Sequence, residues 1–135
     1  MDLDRFVSAQ ETQYDTALAE LTHGTKQSHW MWFIFPQIAG LGHSATARHF
    51  AIRDLAEARA YIAHPLLGPR YLACVAALDR HRGRSAEAIM GGIDAVKLRS
   101  SLTLFDRAGA PHAVGETLHA FFDTPDQATL RLLEG

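Results

Sequence analysis

The sequence predicts an all-α protein, a single multihelical globular domain of about seven to eight short helices that spans residues 1–135. Apolar residues recur at the i, i+3, i+4 spacing of helices from Leu3 to Leu133. Capping residues and glycines interrupt these segments at short intervals. No segment alternates apolar and polar residues over five or more positions, and no Asn-Gly or Asp-Gly hairpin turn occurs.

The first third of the chain predicts helices separated by two loops. The first two helices are marked by the apolar sets Leu3, Phe6, Val7 and Tyr14, Leu18, Leu21. Gly24 follows at the position of a left-handed C-cap. The run Trp30–Phe35 has the composition of a strand, but a lone strand has no partner, so we expect a buried helical turn. It should end at Phe35, because Pro36 disfavours helix in the residue before it. Ser44 should cap the helix after the glycine turn.

The helices after residue 50 are predicted mainly from their starts and ends. Their predicted N-caps are, in order, Asp54, Ser85, Asp94 and Thr124. The predicted ends are His64-Pro65, Gly83 and Gly91-Gly92. In the helix after Asp94, the stripe Leu98, Leu102 and Phe105 should face the core.

The composition excludes several classes of protein. Hydrophobic residues at 47% and charged residues at 21% argue against a disordered segment or a coiled-coil rod. A net charge of −2 argues against nucleic acid as the main partner. The acidic start Met1–Phe6 does not resemble a signal peptide, and no run approaches the ~18 apolar residues of a membrane span. We therefore expect a cytoplasmic protein without a membrane partner. The lone Cys74 should be a buried small hydrophobic residue, and the oligomeric state is left open.

The two lysines are the first candidates for function. Only Lys26 and Lys97 are lysines among the 13 basic residues, so a compact ammonium replaces the usual guanidinium at these positions alone. A coding bias that leaves two solvated lysines explains the ratio equally well. Helical spacing places Asp94, Lys97 and Ser101 in one stripe, with Ser100 beside it, at the border of the core face. That set suits a phosphate or carboxylate ligand, although a helix cap and packing serines explain it almost as well.

The aromatic segment supplies the second set of candidates. Trp30 and Trp32 cannot share one helix face, so one ring should pack in the core while the other lines a cleft. His29 is the first choice for acid–base work, because histidine is the side chain that ordinarily changes charge near neutral pH. A dense aromatic core that encloses His29 is an equal alternative. Gly40 and Gly42 precede a helix start that could hold an anion, though a structural turn is the stronger interpretation.

Four strings carry a family resemblance. They are Ser28–Gln37, Gly40–Gly42, Ala60–Gly68 and Lys97–Phe105, the last preceded by Asp94. Together they resemble the domain of unknown function 1810 family, over about Leu3 to Phe105. The resemblance implies a single multihelical domain and leaves the activity open. Met90-Gly91 stands where the family commonly has Phe-Gly, a departure that affects packing more than a site.

These features predict a pocket that binds, or binds and turns over, a small anionic planar ligand such as a nucleotide derivative. The candidate ligand-binding residues are Lys26, Ser28, His29, Trp32, Gln37, Gly40, Gly42, Asp94, Lys97, Ser100 and Ser101. No complete phosphate-loop, dinucleotide or metalloprotease signature occurs, so we expect no cofactor and no metal. Two alternatives remain: a protein-interaction module with an exposed aromatic patch around Trp30 and Trp32, and a purely structural role for all these residues.

Overall fold

Nine helices make up most of residues 2–134, the part of the chain that the computed structural model describes. They are α1 (Asp4–His23), α2 (Met31–Ile34), α3 (Ala45–His49), α4 (Leu55–Ala63), α5 (Leu67–Asp79), α6 (Ala86–Met90), α7 (Gly92–Arg107), α8 (His112–Phe121) and α9 (Gln127–Glu134). No strand forms among residues 2–134, where the sheet-like pairing consists of one isolated parallel bridge between Ile38 and Ile52. The all-α prediction is confirmed, with a helix count close to the predicted seven or eight.

Short-range signals placed most helix boundaries correctly. Gly24 ends α1 with a left-handed φ of 81°, which glycine adopts without the steric cost that a Cβ brings. The side chains of Ser44, Asp54 and Ser85 each accept a hydrogen bond from the backbone N–H three residues on. α2 ends at Ile34 with Phe35 as its C-cap residue, directly before Pro36, as expected for the buried aromatic turn.

Four boundary predictions are wrong, the first of them the helix end at Gly83, because α5 already ends at Asp79. The two predicted N-terminal helices are one helix of 20 residues, because no glycine or proline separates their apolar sets. Asp94 does not cap α7, which begins earlier after Gly91 and contains Asp94 in its first turn. Thr124 does not cap α9, since the carboxylate of Asp126 accepts from the backbone N–H of Thr129 at 2.9 Å.

The core is built around packed aromatic rings. Tyr61 meets Phe6 edge-on at 5.1 Å between ring centroids, and Tyr71 lies 4.5 Å from Phe105. Leu98, Leu102 and Phe105 are fully buried, so the predicted core stripe of α7 is confirmed. α7 therefore packs its apolar face inward, against α4, α6 and α8, and it also contacts α9.

Candidate functional site

The loop between α1 and α2 is organised by the carboxylate of Glu20. Its Oε1 accepts hydrogen bonds from the backbone N–H groups of Gln27 and Ser28, at 2.8 and 2.9 Å, and from Trp30 Nε1 at 2.9 Å. Its Oε2 accepts from Ser28 Oγ at 2.6 Å. Partial burial alone would raise the pKa of Glu20, but these donors outweigh it together and lower that pKa to about 2. Glu20 thereby fixes both the loop and the indole of Trp30.

Lys26 and Lys97 converge on one carboxylate. Lys26 Nζ lies 2.8 Å from Oδ2 of Asp94, and Lys97 Nζ lies 3.8 Å from Oδ1 of the same residue. The first distance is that of a charge-assisted hydrogen bond, whereas the second is too long for one. The two lysine side chains are 6% and 25% exposed, so they are not equivalent. The protein itself supplies the anion that brings them together.

Each lysine also lies over an indole. Lys26 Nζ is 4.9 Å from the ring centroid of Trp30, and Lys97 Nζ is 4.7 Å from that of Trp32. Both distances are within the range of cation–π attraction. Trp30 is fully buried while Trp32 is partly exposed. The expectation that one ring packs in the core is confirmed for Trp30, and the alternative of a patch formed by both indoles does not hold, because Trp30 is buried.

A cleft of about 430 Å³ opens between α7, the start of α9 and the loop after α2, and we call it the α7–α9 cleft. Its principal lining residues are Leu41, Ile93, Val96, Lys97, Ser100 and Asp126. Ile93 and Val96 are 78% and 64% exposed, which is unusual for large apolar side chains on an ordered helix. The volume lies within the ~300–1,000 Å³ range of small-molecule sites.

Hydrogen bonds made by side chains, with one another and with the backbone, hold the walls of the α7–α9 cleft in place. Ser100 Oγ and Thr129 Oγ1 are 2.9 Å apart, and the backbone N–H of Asp126 donates to Thr103 Oγ1 at 2.9 Å. Arg99 donates from Nε to the carbonyl of Thr124 at 2.8 Å. The loop wall is fixed in turn by the bridge between residues 38 and 52. The cleft is thus preformed.

The structure brings only part of the predicted set together. Lys97 and Ser100 line the α7–α9 cleft, and so do Gln37 and Gly42, while Lys26 and Asp94 form the ion cluster behind Lys97. Trp32 packs under Lys97 and lines a neighbouring cavity of about 10 Å³, which holds no more than about one water molecule.

The other candidates lie outside this arrangement. Ser101 is fully buried, with its Oγ 3.0 Å from the hydroxyl of Tyr71, so it faces the core instead of a ligand. Ser28 is bound to Glu20, and His29 is exposed on the loop before α2 rather than enclosed by an aromatic core. Gly40 has a φ of 104°, and a Cβ there would lie 3.2 Å from Leu132, so this glycine serves the turn and its packing on α9.

Sequence reasoning missed Asp126 and Glu20. Thr124 and Asp126 are both suitable N-cap residues for α9, and the capping motif that begins at Thr124 favoured the threonine. Glu20 acts on residues seven to ten positions further along the chain, a separation that no helical spacing reports. Cys74 is buried as predicted, and burial raises the pKa of its thiol to about 12.

The comparisons with known proteins agree with the fold. The family model described as "Protein of unknown function (DUF1810)" matches residues 1–133. The chain belongs to this family. The chain is also similar to the crystal structure of the conserved hypothetical protein Rv1873 from Mycobacterium tuberculosis, with 44% sequence identity and a TM-score of 0.96. The match covers 99% of this chain and 97% of that one. No curated protein matches the sequence.

Membership in the DUF1810 family leaves the chemistry to be argued from the site. Within residues 2–134, no cluster of three or more histidine, cysteine, aspartate or glutamate side chains could hold a metal ion. Over the same residues, no helix is both long enough and apolar enough to cross a bilayer. For this DUF1810 protein, the α7–α9 cleft and the ion cluster beside Lys97 are the features from which a function can be argued.

Proposed function

We propose that the α7–α9 cleft binds a small ligand with an apolar, planar body and a single anionic group, and that the anionic group contacts Lys97. The main support is the coincidence of an apolar preformed cleft with one partly exposed ammonium at its wall. Aromatic carboxylates and nucleoside monophosphates are members of this ligand class.

The apolar part of the proposal rests on Ile93 and Val96. These side chains lie one turn apart on α7, border the same cleft and face solvent. Covering them removes apolar surface from water, which is favourable by roughly 25 cal/mol per Å². An apolar ligand body of the size of the cleft would supply that cover.

The anionic part rests on the charges of Lys26, Asp94 and Lys97. Two ammonium groups share one carboxylate, so the cluster keeps one positive charge. Lys26 is closely paired and almost buried, which leaves the remaining charge on Lys97. One anionic group on a ligand would neutralise it. A polyphosphate would instead bring excess negative charge close to Asp94, so we expect it to bind less tightly.

A thermal-shift experiment tests the proposal. The probes are 4-ethylbenzoate, adenosine monophosphate and adenosine triphosphate, applied at millimolar concentration to the parent protein and to Lys97→Gln. Ligand at ten times Kd stabilises the native state by about 1.4 kcal/mol, which for a domain of this size raises Tm by about 5 °C. We expect such a shift in the parent protein from 4-ethylbenzoate, from adenosine monophosphate or from both, and a smaller shift from the triphosphate. We expect no shift in Lys97→Gln.

The matched control is Arg131→Gln, which removes one positive charge from an exposed position of α9. It should keep the shifts of the parent protein. If neither 4-ethylbenzoate nor the monophosphate stabilises the parent protein, or if Lys97→Gln responds like the parent, the proposed function is wrong.

A further inference from the structure

We propose that Asp126 is a second polar determinant of the α7–α9 cleft and that the ligand carries a cationic or N–H donor group for it, in addition to the anionic group for Lys97. This inference rests on the proposed function and narrows it. The ligand class becomes an apolar molecule with an anion at one point and an amino-type group at another.

The bonding of Asp126 leaves one of its carboxylate oxygens available. Both of its capping bonds go to Oδ2, from the N–H of Thr129 at 2.9 Å and from Thr129 Oγ1 at 2.6 Å. A carboxylate offers about four acceptor positions over two oxygens, so Oδ1 retains its capacity. Among residues 2–134, no lysine, arginine or histidine nitrogen lies within the 4.0 Å of a salt bridge to this carboxylate.

Capping α9 does not require the negative charge of Asp126. Serine or asparagine caps a helix about as well as aspartate does. Asp126 borders the same cleft as Ile93 and Val96, where a carboxylate without a cationic partner is less well solvated than on an open polar surface. A cationic or N–H donor group on a ligand would restore a partner for it.

The position of Asp126 is fixed before any ligand arrives. Thr103 accepts from its backbone N–H at 2.9 Å, and Arg99 holds the preceding loop through the carbonyls of Thr124 and Pro125, at 2.8 and 3.2 Å. Thr103, Arg99 and Lys97 all belong to α7. The carboxylate and the ammonium are therefore held on one rigid frame, and such preorganisation lets two contacts discriminate between ligands.

Isothermal titration calorimetry with two isosteric probes tests this inference. The probes are 4-(aminomethyl)benzoate and 4-ethylbenzoate, which share the carboxylate and the ring but differ in an ammonium or a methyl group. A second pair, 4-(2-aminoethyl)benzoate and 4-propylbenzoate, samples a longer spacing. In the parent protein we expect at least one amino probe to bind about tenfold more tightly than its alkyl partner.

The variant Asp126→Asn keeps a capping oxygen and removes the charge. It should weaken the preferred amino probe about tenfold and leave the alkyl probe within about twofold of the parent value. Lys97→Gln should weaken both members of each pair. If Asp126→Asn does not fold, Asp126→Ser keeps the cap and serves the same purpose.

The outcomes separate the two proposals. If the alkyl probes bind in a Lys97-dependent manner but the amino probes show no preference, or a preference that survives Asp126→Asn, the role of Asp126 is overturned while the proposed function stands. If no probe of either pair binds to the parent protein, the role of Asp126 is overturned, and the proposed function fails as well when adenosine monophosphate does not stabilise the protein either.

Discussion

Lys26 over Trp30 and Lys97 over Trp32 are two copies of one arrangement, an ammonium 4.7–4.9 Å from an indole ring, and both ammonium groups face Asp94. They differ in solvent access and in bonding. Lys26 and Trp30 are buried, and Lys26 Nζ lies 2.8 Å from the carboxylate of Asp94. Lys97 and Trp32 are partly exposed, and Lys97 Nζ lies 3.8 Å from the same carboxylate. The comparison teaches that burial, and not residue type, separates the two pairs, because Lys26 and Trp30 are enclosed by the protein while Lys97 and Trp32 remain accessible to solvent.

The largest expected difference between the pairs is in the tryptophans. Trp30→Ala should lower the free energy of unfolding by about 3–5 kcal/mol, because it removes a fully buried indole and the donor to Glu20. Trp32→Ala should cost about 1–2 kcal/mol, since this indole is only partly buried and makes its cation–π contact at the surface. Urea melts of the two variants measure both values. Equal losses would mean that the two indoles have the same structural role.

The lysines should differ in the same direction by a smaller amount. Lys26→Gln should cost about 2 kcal/mol, because it leaves the part-buried Asp94 with only its distant partner. Lys97→Gln should cost less than about 0.5 kcal/mol. The alternative interpretation of the sequence, in which both lysines are solvated, fails for Lys26, whose side chain is 6% exposed. Denaturant melts decide, and a larger loss for Lys97→Gln than for Lys26→Gln would reverse the assignment.

A smaller effect concerns Glu20, which accepts a hydrogen bond from Trp30 of the buried pair and whose contribution to stability depends on pH. Glu20 has a folded-state pKa of about 2, below its ordinary value of 4.5, so its contribution is complete above pH 4.5 and is lost as the pH falls towards 2. At pH 7, Glu20→Gln should be less stable than the parent by about 1.5 kcal/mol, since it weakens the charge-assisted hydrogen bonds.

The stability difference between parent and Glu20→Gln should shrink between pH 4.5 and 2 and nearly vanish near pH 2. Melts of both proteins across this pH range measure it. A difference that stays constant with pH would show that the carboxylate charge does not hold the loop. Glu116→Gln, at an exposed position of α8, is the matched control and should show no such trend.

Local signals predicted what depends on neighbouring residues. The caps at Ser44, Asp54 and Ser85, and the end of α2 before Pro36, are decided within a few positions, so the sequence placed them. The unequal fate of the two tryptophans follows from helical geometry alone. The single helix α1 is indicated by the absence of glycine and proline between the two N-terminal apolar sets. The spacing of those sets favoured two helices instead.

The parts that the sequence could not predict depend on distant contacts. Asp94 was expected to cap a helix or to face a ligand, but its carboxylate meets Lys26, which lies 68 positions earlier in the chain. Asp126 is positioned at the cleft by hydrogen bonds that Thr103 and Arg99 of α7 make with it and with the preceding loop. Ser101 has the spacing of a surface stripe, yet its hydroxyl pairs with Tyr71 in the core. None of these partners is visible in local spacing.

The most direct test of the difference between the two pairs is a titration of the two indole N–H signals in a ¹H–¹⁵N NMR spectrum. The chain has two tryptophans, so Trp32→Phe assigns both signals. On addition of 4-ethylbenzoate, the Trp32 signal should move to saturation, while the Trp30 signal should stay in place because its N–H is bonded to Glu20 inside the protein. If neither signal moves at a millimolar concentration of the probe, or if the Trp30 signal moves more than the Trp32 signal, the account is contradicted. The Lys26–Trp30 pair would then not be the structural pair, nor the Lys97–Trp32 pair the one that responds to a ligand.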